Sequence, residues 1–459
     1  MENNIPFDRN PEMLPSTSEE RDMSYKDFTV LWAGMAINMG VFTIGAQLYP
    51  GLSPLAIMLG LMVAYLFVTT LLILTGDIGI VYGLPFIVYI RACFGYKGVN
   101  FPAVFRMLVC IFWFGFQTWI GAAALNMILG ILIGYSNLTL ILIIFGALQI
   151  WNAAFGVKAM ANFDWIAVPV LAILIGSVTF WLMKENNATF YDIFAMSGDG
   201  SGSFIIGVVA MIGSWIAMGM NSPDITRKLR HSSDLTKKGF FARNRKAIAA
   251  QLIGFVILSA VQLFVGLIGG IFTGEWDPVQ IIAGSISSPF ILILGMVGLA
   301  FAQWSTNTGT NLMPAAYTIM QIFPKINWAK ATVIAGFLGL VTMPWLLANN
   351  LVWFNVVSSG LMGPVIGIMI ADYHLLRKRK LNIEEFYKTD GTGAFKYKNN
   401  YNVRGFIAYG ISFFISLAFG EYSFFVGFLL SILLYYILMK KVVKVVDKPT
   451  YTLNNKLVG

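Results

Sequence analysis

The stretch WAGMAINMGVFTIG, residues 32–45, sets Gly34, Gly40, Gly45 and Asn38 into a run otherwise apolar enough for lipid. Each glycine inside a helix costs on the order of 1 kcal/mol relative to alanine, so the cluster predicts an interruption of the helix near Asn38. A second stretch, VAMIGSWIAMGMNSPD (209–224), repeats the feature with Gly213, Ser214 and Gly219 around Trp215. If these are the opening helices of two five-helix halves, their matching interruptions mark an inverted-repeat transporter with its site near the membrane midplane. No residue-level repeat is visible, so the symmetry rests on position. Glycines also serve close helix packing, and that explanation stands beside the first.

Composition supplies the solvent. Hydrophobic residues make up 57% of the 459-residue chain and charged residues 12%, and the mean hydropathy is +0.73. Soluble domains carry roughly 25% charged residues. Apolar windows long enough to cross about 30 Å of hydrocarbon recur about twelve times. They lie near 29–48, 53–76, 104–132, 138–156, 162–184, 204–221, 247–273, 289–321, 329–348, 353–374, 404–420 and 422–440. The fold class is therefore an all-α membrane protein of about twelve transmembrane helices, which the two interrupted helices would arrange as a five-plus-five inverted repeat with two extra C-terminal helices. Its expected organisation is an N-terminal segment 1–28, a first repeat 29–184, a second repeat 204–374, a charged loop 375–403, helices eleven and twelve over 404–441, and a tail 442–459.

Basic residues in short loops stay on the cytoplasmic side. With the N-terminus inside, only Lys184 falls outside, while Arg227–Lys246, Arg377–Lys380 and the lysines of the tail share the inner face. That distribution accounts for the net charge of +9 as topology, and no nucleic-acid partner is expected. The first 28 residues lack the basic start and short apolar core of a cleavable signal. Cys93 and Cys110 are the only cysteines, too few for a disulfide framework or cysteine metal site. The expected location is the cell membrane, with both termini cytoplasmic.

Polar groups at membrane depth face protein, water or cargo. Asp77, Asp164, Asp224 and Asp372 sit at span ends, and His231 and His374 lie in or beside basic segments. The uncharged interior argues against an intramembrane hydrolase and against a proton relay of buried carboxylates. No enzymatic activity and no cofactor are expected. In CIFWFGFQTWIGAAAL (110–125), Trp113 and Gln117 are four apart and share one helix face, a stacking plane with an amide beside it, which suits a flat heterocycle. In WSTNTGTN (304–311), every residue after Trp304 is small or polar. Ala302, Ser305 and Thr306 fall at i, i+3 and i+4, placing hydroxyls and backbone oxygens on one side, a neutral cage for a small hard cation. Asn311 lies about 8 Å further along and turns to another neighbour. Interhelical hydrogen bonding, worth about 0.6 kcal/mol per bond, is the alternative for any one of these residues.

At these residues the chain resembles the nucleobase:cation symporter-1 family, within it the hydantoin and allantoin permeases and above all the sodium-coupled hydantoin transporter. The resemblance runs from about Tyr25 to the twelfth span and includes YGLPFIVYIRACFG (82–95), FWFGFQTWIGA (112–122), GEWDP (274–278), the eighth-span motif with PAAYT (314–318), and DYHLLRKRK (372–380). It implies that Trp113 and Trp215 sandwich the substrate, with Gln117, Asn311, Asn38 and Ser214 about it. It also implies that the inverted repeat is of LeuT type, and a Na+ site made by Gly34, Ile37, Ala302, Ser305 and Thr306. Position 38 is a departure: the hydantoin transporter carries Gln there, whereas allantoin permeases resemble this chain in having Asn.

The expected function is import of a small neutral planar heterocycle (hydantoin, allantoin or nucleobase) by Na+ symport and alternating access, by a protein acting as a monomer in the bilayer. A proton-coupled cytosine, uracil or purine permease of the same family is the alternative. The bundle of spans 1, 2, 6 and 7 is expected to rock against spans 3, 4, 8 and 9, with a thin gate near Phe354–Ser358. A channel or a receptor fits less well, because the chain shows one asymmetric set of sites and no loop longer than about thirty residues.

Overall fold

The computed structural model describes residues 13–154, 169, 173, 176–230, 238–286, 288–388 and 392–450, without the Ser305 side chain. Most of the expected fifth span, Asp164, His231, Lys237 and residues 451–459 lie outside the described residues.

The described chain is helical. Helix α1 (Tyr25–Ala36) opens with a capping box in which Ser24 and Asp27 satisfy each other's amides. It stops at Ile37, and α2 (Met39–Leu48) restarts with Asn38 as its cap, bent 45° from α1. The interruption expected in the first span is present. Next come α3 (Pro54–Tyr82), α4 (Asn100–Ile133), α5 (Leu138–Ala154), α6 (Phe204–Thr226), α7 (Phe240–Thr273) and α8 (Pro289–Ile322). The chain ends with α9 (Trp328–Val341), α10 (Leu351–Ile370), α11 (Val403–Ser416) and α12 (Ser423–Met439). Among the described residues seven helices are long and apolar enough to cross a bilayer, or eight with the bent α1–α2 pair as one span. One of the seven is α11 and α12 taken together; the backbone leaves helical geometry at Gly420 between them. The expected ninth span is cut short: α9 ends at Val341 and a 3₁₀ turn, Pro344–Asn350, leads into α10. Lipid-facing surface is apolar as the medium requires; on α3 it is the stripe Leu55, Leu59, Met62, Val63 and Leu66.

Helix α6 corrects one expectation, because it runs unbroken through Gly213, Ser214 and Gly219. A Cβ at Gly213 would lie 1.9 Å from the Asn355 carbonyl oxygen of α10, and one at Gly219 would lie 2.8 Å from Ile366 Cδ1. These glycines let two helices approach closely. Ser222 and Thr226 then stitch α6 to α3 by donating to the Leu72 and Gly76 carbonyls, each at 2.7 Å. The irregularities sit elsewhere: π turns interrupt α7 at Leu252–Ile257 and α8 at Thr308–Leu312, and another, Ala371–Leu376, follows α10.

The main pairings include α3 with α6, α6 with α10, α2 with α7 and α4 with α8, and α5 packs on α9. Exchanging each crossing n with crossing n+5 turns the pair 2–6 into 7–1 and leaves 3–8 and 4–9 unchanged. That is the contact pattern of a five-plus-five repeat, and α11 and α12 pack outside it against α10. Three buried ion pairs gather at the end of the bundle that carries the basic loops: Asp77 with Arg243, Asp224 with Arg106, and Asp372 with Arg377. Arg106, near the start of the third span, is a buried charge that the span pattern alone did not single out.

Candidate functional site

The site grows from the break in the first crossing. In a continuous helix the Gly34 carbonyl would accept from the Asn38 amide. Here Ile37 (φ −78°, ψ 65°) and Asn38 (φ −112°, ψ 127°) leave helical geometry. The Val41 amide bonds Asn38 O at 3.1 Å, so the Gly34 and Ile37 carbonyls are released from the ladder. Thr306 Oγ1 of α8 donates to Gly34 O at 3.1 Å. Ala302 is buried one turn before Thr306. Of the five residues expected to hold a cation, Thr306 and Gly34 are thus in direct contact, Ile37 stands at the break three residues after Gly34 and Ala302 one turn before Thr306; Ser305 lies on the same helix, its side chain outside the described residues.

Asn38 closes the other side of the break. Its Oδ1 accepts from the Gly40 amide at 2.6 Å and caps α2. Gly40 is needed because a Cβ there would meet the Trp113 ring at 2.4 Å. The Trp113 ring thus lies against the first turn of α2. Phe354 of α10 stands edge-on to Trp113 at 6.3 Å and stacks on Phe112 at 3.5 Å between centroids. On this same face of α4, Trp113 Nε1 and Gln117 Oε1 are buried with no protein partner. Buried polar atoms are seldom left unpaired, so such a pair on one face marks where an outside molecule could complete the bonding.

Trp215 approaches from α6. Its ring lies 4.7 Å from Phe255 and 6.3 Å from Trp32 of α1. Its Nε1 donates to Tyr65 Oη at 3.1 Å, and Ser214 Oγ, which donates to Met211 O, sits 3.4 Å from the same hydroxyl. The two indoles flank the first crossing from opposite pieces, Trp113 against α2 and Trp215 against α1. Of these two, Trp113 is the one whose N–H is buried and unpartnered.

The polar run of α8 serves three neighbours. Thr306 faces α1. Asn311 Nδ2 donates to Asn307 Oδ1 at 2.9 Å. Asn307 Nδ2 in turn lies 2.9 Å from Phe114 O, 3.0 Å from Thr118 Oγ1 and 3.0 Å from Gln149 Oε1, joining α8 to α4 and α5. Asn307 and Gln149 were not among the expected site residues. The signal for Asn307 was its place in the run, four before Asn311. Asn355, next to Phe354 on α10, is also buried with both amide atoms unpartnered.

The profile of a permease family for cytosine and purines, uracil, thiamine and allantoin matches residues 15–438. The hydantoin permease of Microbacterium maritypicum is 29% identical over 95% of this chain and 89% of its own length. The allantoin permease of Bacillus subtilis is 30% identical over 94% of this chain and 93% of its own. Among solved structures, a nucleobase-cation-symport-1 family transporter in a closed conformation with bromovinylhydantoin bound is similar at a TM-score of 0.89 and 28% identity, covering 94% of this chain and 95% of that one.

Proposed function

Because the chain belongs to the nucleobase:cation symporter-1 family of permeases, we propose that it imports a neutral hydantoin- or allantoin-type heterocycle together with Na+ by alternating access. Trp113 and Trp215 supply the two faces that hold the ring, and Gln117, Asn311, Asn38 and Ser214 supply its hydrogen bonds. The single observation that carries this reading is the buried pair Trp113 Nε1 and Gln117 Oε1, unpartnered on the face that meets the helix break. The cargo is neutral, because an ionised ligand buried without a counter-charge bears a large desolvation penalty.

Na+ binds between the released Gly34 and Ile37 carbonyls and Ala302, Ser305 and Thr306, replacing the Thr306–Gly34 hydrogen bond. Neutral oxygens suit a hard monovalent cation, and the ion pins the end of α1 to α8. Asn38 is the next residue, so ion binding orders one wall of the heterocycle pocket and each ligand raises the affinity for the other. The α1–α2, α3, α6 and α7 bundle then rocks against α4, α5, α8 and α9, a monomer sufficing for the cycle. The basic end, with both termini, faces the cytoplasm.

The test is calorimetric binding of hydantoin, allantoin, uracil and cytosine to purified protein in Na+ and in choline, repeated with Trp113→Ala. Na+ should tighten one of these ligands roughly 5- to 150-fold, and Trp113→Ala should lose that binding. Equal affinity in Na+ and choline, with tightening on acidification instead, would overturn the sodium reading.

A further inference from the structure

Resting on the reading that Asn311 meets the cargo, we infer that Asn307 is a positioning residue that fixes the polarity of Asn311, and through it selects a ring N–H on the substrate. A side-chain amide can usually be turned over, exchanging its N and O. Asn307 cannot. It faces the Phe114 backbone carbonyl at 2.9 Å, and a carbonyl oxygen only accepts, so the Asn307 NH2 must point there. Thr118 and Gln149 agree with that orientation. Thr118 Oγ1 gives its proton to Phe114 O at 2.7 Å and is left as an acceptor, and Gln149 Oε1 accepts from Asn307 while Gln149 Nε2 donates to Thr118 Oγ1 at 3.3 Å.

With its NH2 committed to α4 and α5, Asn307 turns Oδ1 toward Asn311, and Asn311 Nδ2 donates to it at 2.9 Å. Turning Asn311 over would set two amide oxygens against each other in a buried place, which costs the bond and adds repulsion. Asn311 therefore keeps its whole carbonyl, and one remaining N–H, for whatever lies beyond. A ligand edge placed there must bring a donor to that carbonyl, with an acceptor beside it allowed. The –NH–CO– edge of a cyclic imide or ureide fits, and a ring whose only group at that edge is a carbonyl or a bare ring nitrogen does not. A backbone carbonyl of α4 thus sets the chemistry accepted by α8 through a chain of two side-chain amides.

The test compares bromovinylhydantoin with its two ring N-methyl derivatives and with the oxazolidinedione in which ring oxygen replaces an N–H, by calorimetry in Na+. In the unaltered protein at least one of these replacements should weaken binding roughly 10- to 100-fold. Asn307→Ala frees Asn311 to turn and should bring that ratio down toward one. Gln149→Leu and Thr118→Val, milder changes farther from the ligand, should lower it part of the way. A merely structural role for Asn307 would reduce the amount or melting temperature of folded protein and leave the ratio between ligands where it was. The inference is overturned if the ratio persists in Asn307→Ala and Gln149→Leu while bromovinylhydantoin still binds, or if no replacement weakens binding in the unaltered protein. Asn311→Ala separates the two readings. If it leaves bromovinylhydantoin binding unchanged, Asn311 does not meet the cargo and the site reading falls as well. If it abolishes binding while Asn307→Ala keeps the ratio, only the relay falls.

Discussion

The Thr306 hydroxyl joins the interrupted first crossing to the eighth. Thr306 Oγ1 reaches a carbonyl that an ordinary helix would have used itself. Thr306→Val keeps the shape and removes the oxygen, so under the proposed Na+ coupling the half-saturating Na+ for ligand binding should rise about tenfold or more, a charge-assisted contact being worth about 1.5 kcal/mol at least. Thr332→Val is the control, since that hydroxyl only bonds Trp328 O in its own helix; a Na+ titration followed by calorimetry reads both. At this scale the sequence revealed residue types better than directions. Trp113 and Gln117 could be placed on one face by spacing, and the structure leaves both with a buried unpartnered atom. Which of the seven residues after Trp304 faces which neighbour depends on helices more than a hundred residues away in the chain, as the bonds from Asn307 to Phe114, Thr118 and Gln149 illustrate.

At the scale of the element, glycine clusters have two causes and hydropathy cannot separate them. In the first crossing Asn38 caps a new helix and Gly40 makes room for an indole, and the helix breaks. In α6 no residue caps a restart, Ser214 bonds back to Met211 O, and the glycines receive α10. Gly213→Ala should therefore destabilise the protein by about 1–3 kcal/mol or more, because the new methyl meets a backbone carbonyl that cannot swing aside. Gly284→Ala, with nothing within 4 Å of its added Cβ, should be neutral or slightly stabilising. Thermal unfolding of the two variants in one detergent checks the contrast. The π turns were illegible for a different reason: they change the backbone ladder without changing the apolar pattern.

At the scale of the whole molecule, two of the three buried ion pairs described above lie within groups of helices proposed to move as units. Asp77–Arg243 ties α3 to α7, and Asp372–Arg377 closes the end of α10 on itself. Arg106–Asp224 differs, joining α4 of the scaffold to α6 of the bundle at 3.0 Å. Arg106 also donates to Asn221 Oδ1 and to the Pro314 carbonyl, and the Phe86 amide donates to Asp224. Removing one partner strands a buried charge, so Arg106→Met should cost about 3–5 kcal/mol, and adding Asp224→Leu should restore much of it. Melting temperatures of the single and double variants decide this. An all-helical fold of many apolar crossings was legible from hydropathy and loop charge, and the five-plus-five plan from the interrupted first crossing and the family resemblance. The seam between the two bodies was not, because Arg106 looks in the sequence like one more basic residue at a span end.

The π turn at Thr308–Leu312 takes up one residue more than an α turn of the same reach. Ordinary α-helix stands on both sides of it, Pro289–Asn307 and Met313–Ile322. Deleting Gly309, where an added Cβ would meet nothing within 4 Å, should therefore let the turn close into α geometry with both flanks left in place. Asn307 and Asn311 would then stand three residues apart instead of four, so the wall they share can be re-spaced without moving the helices that carry it.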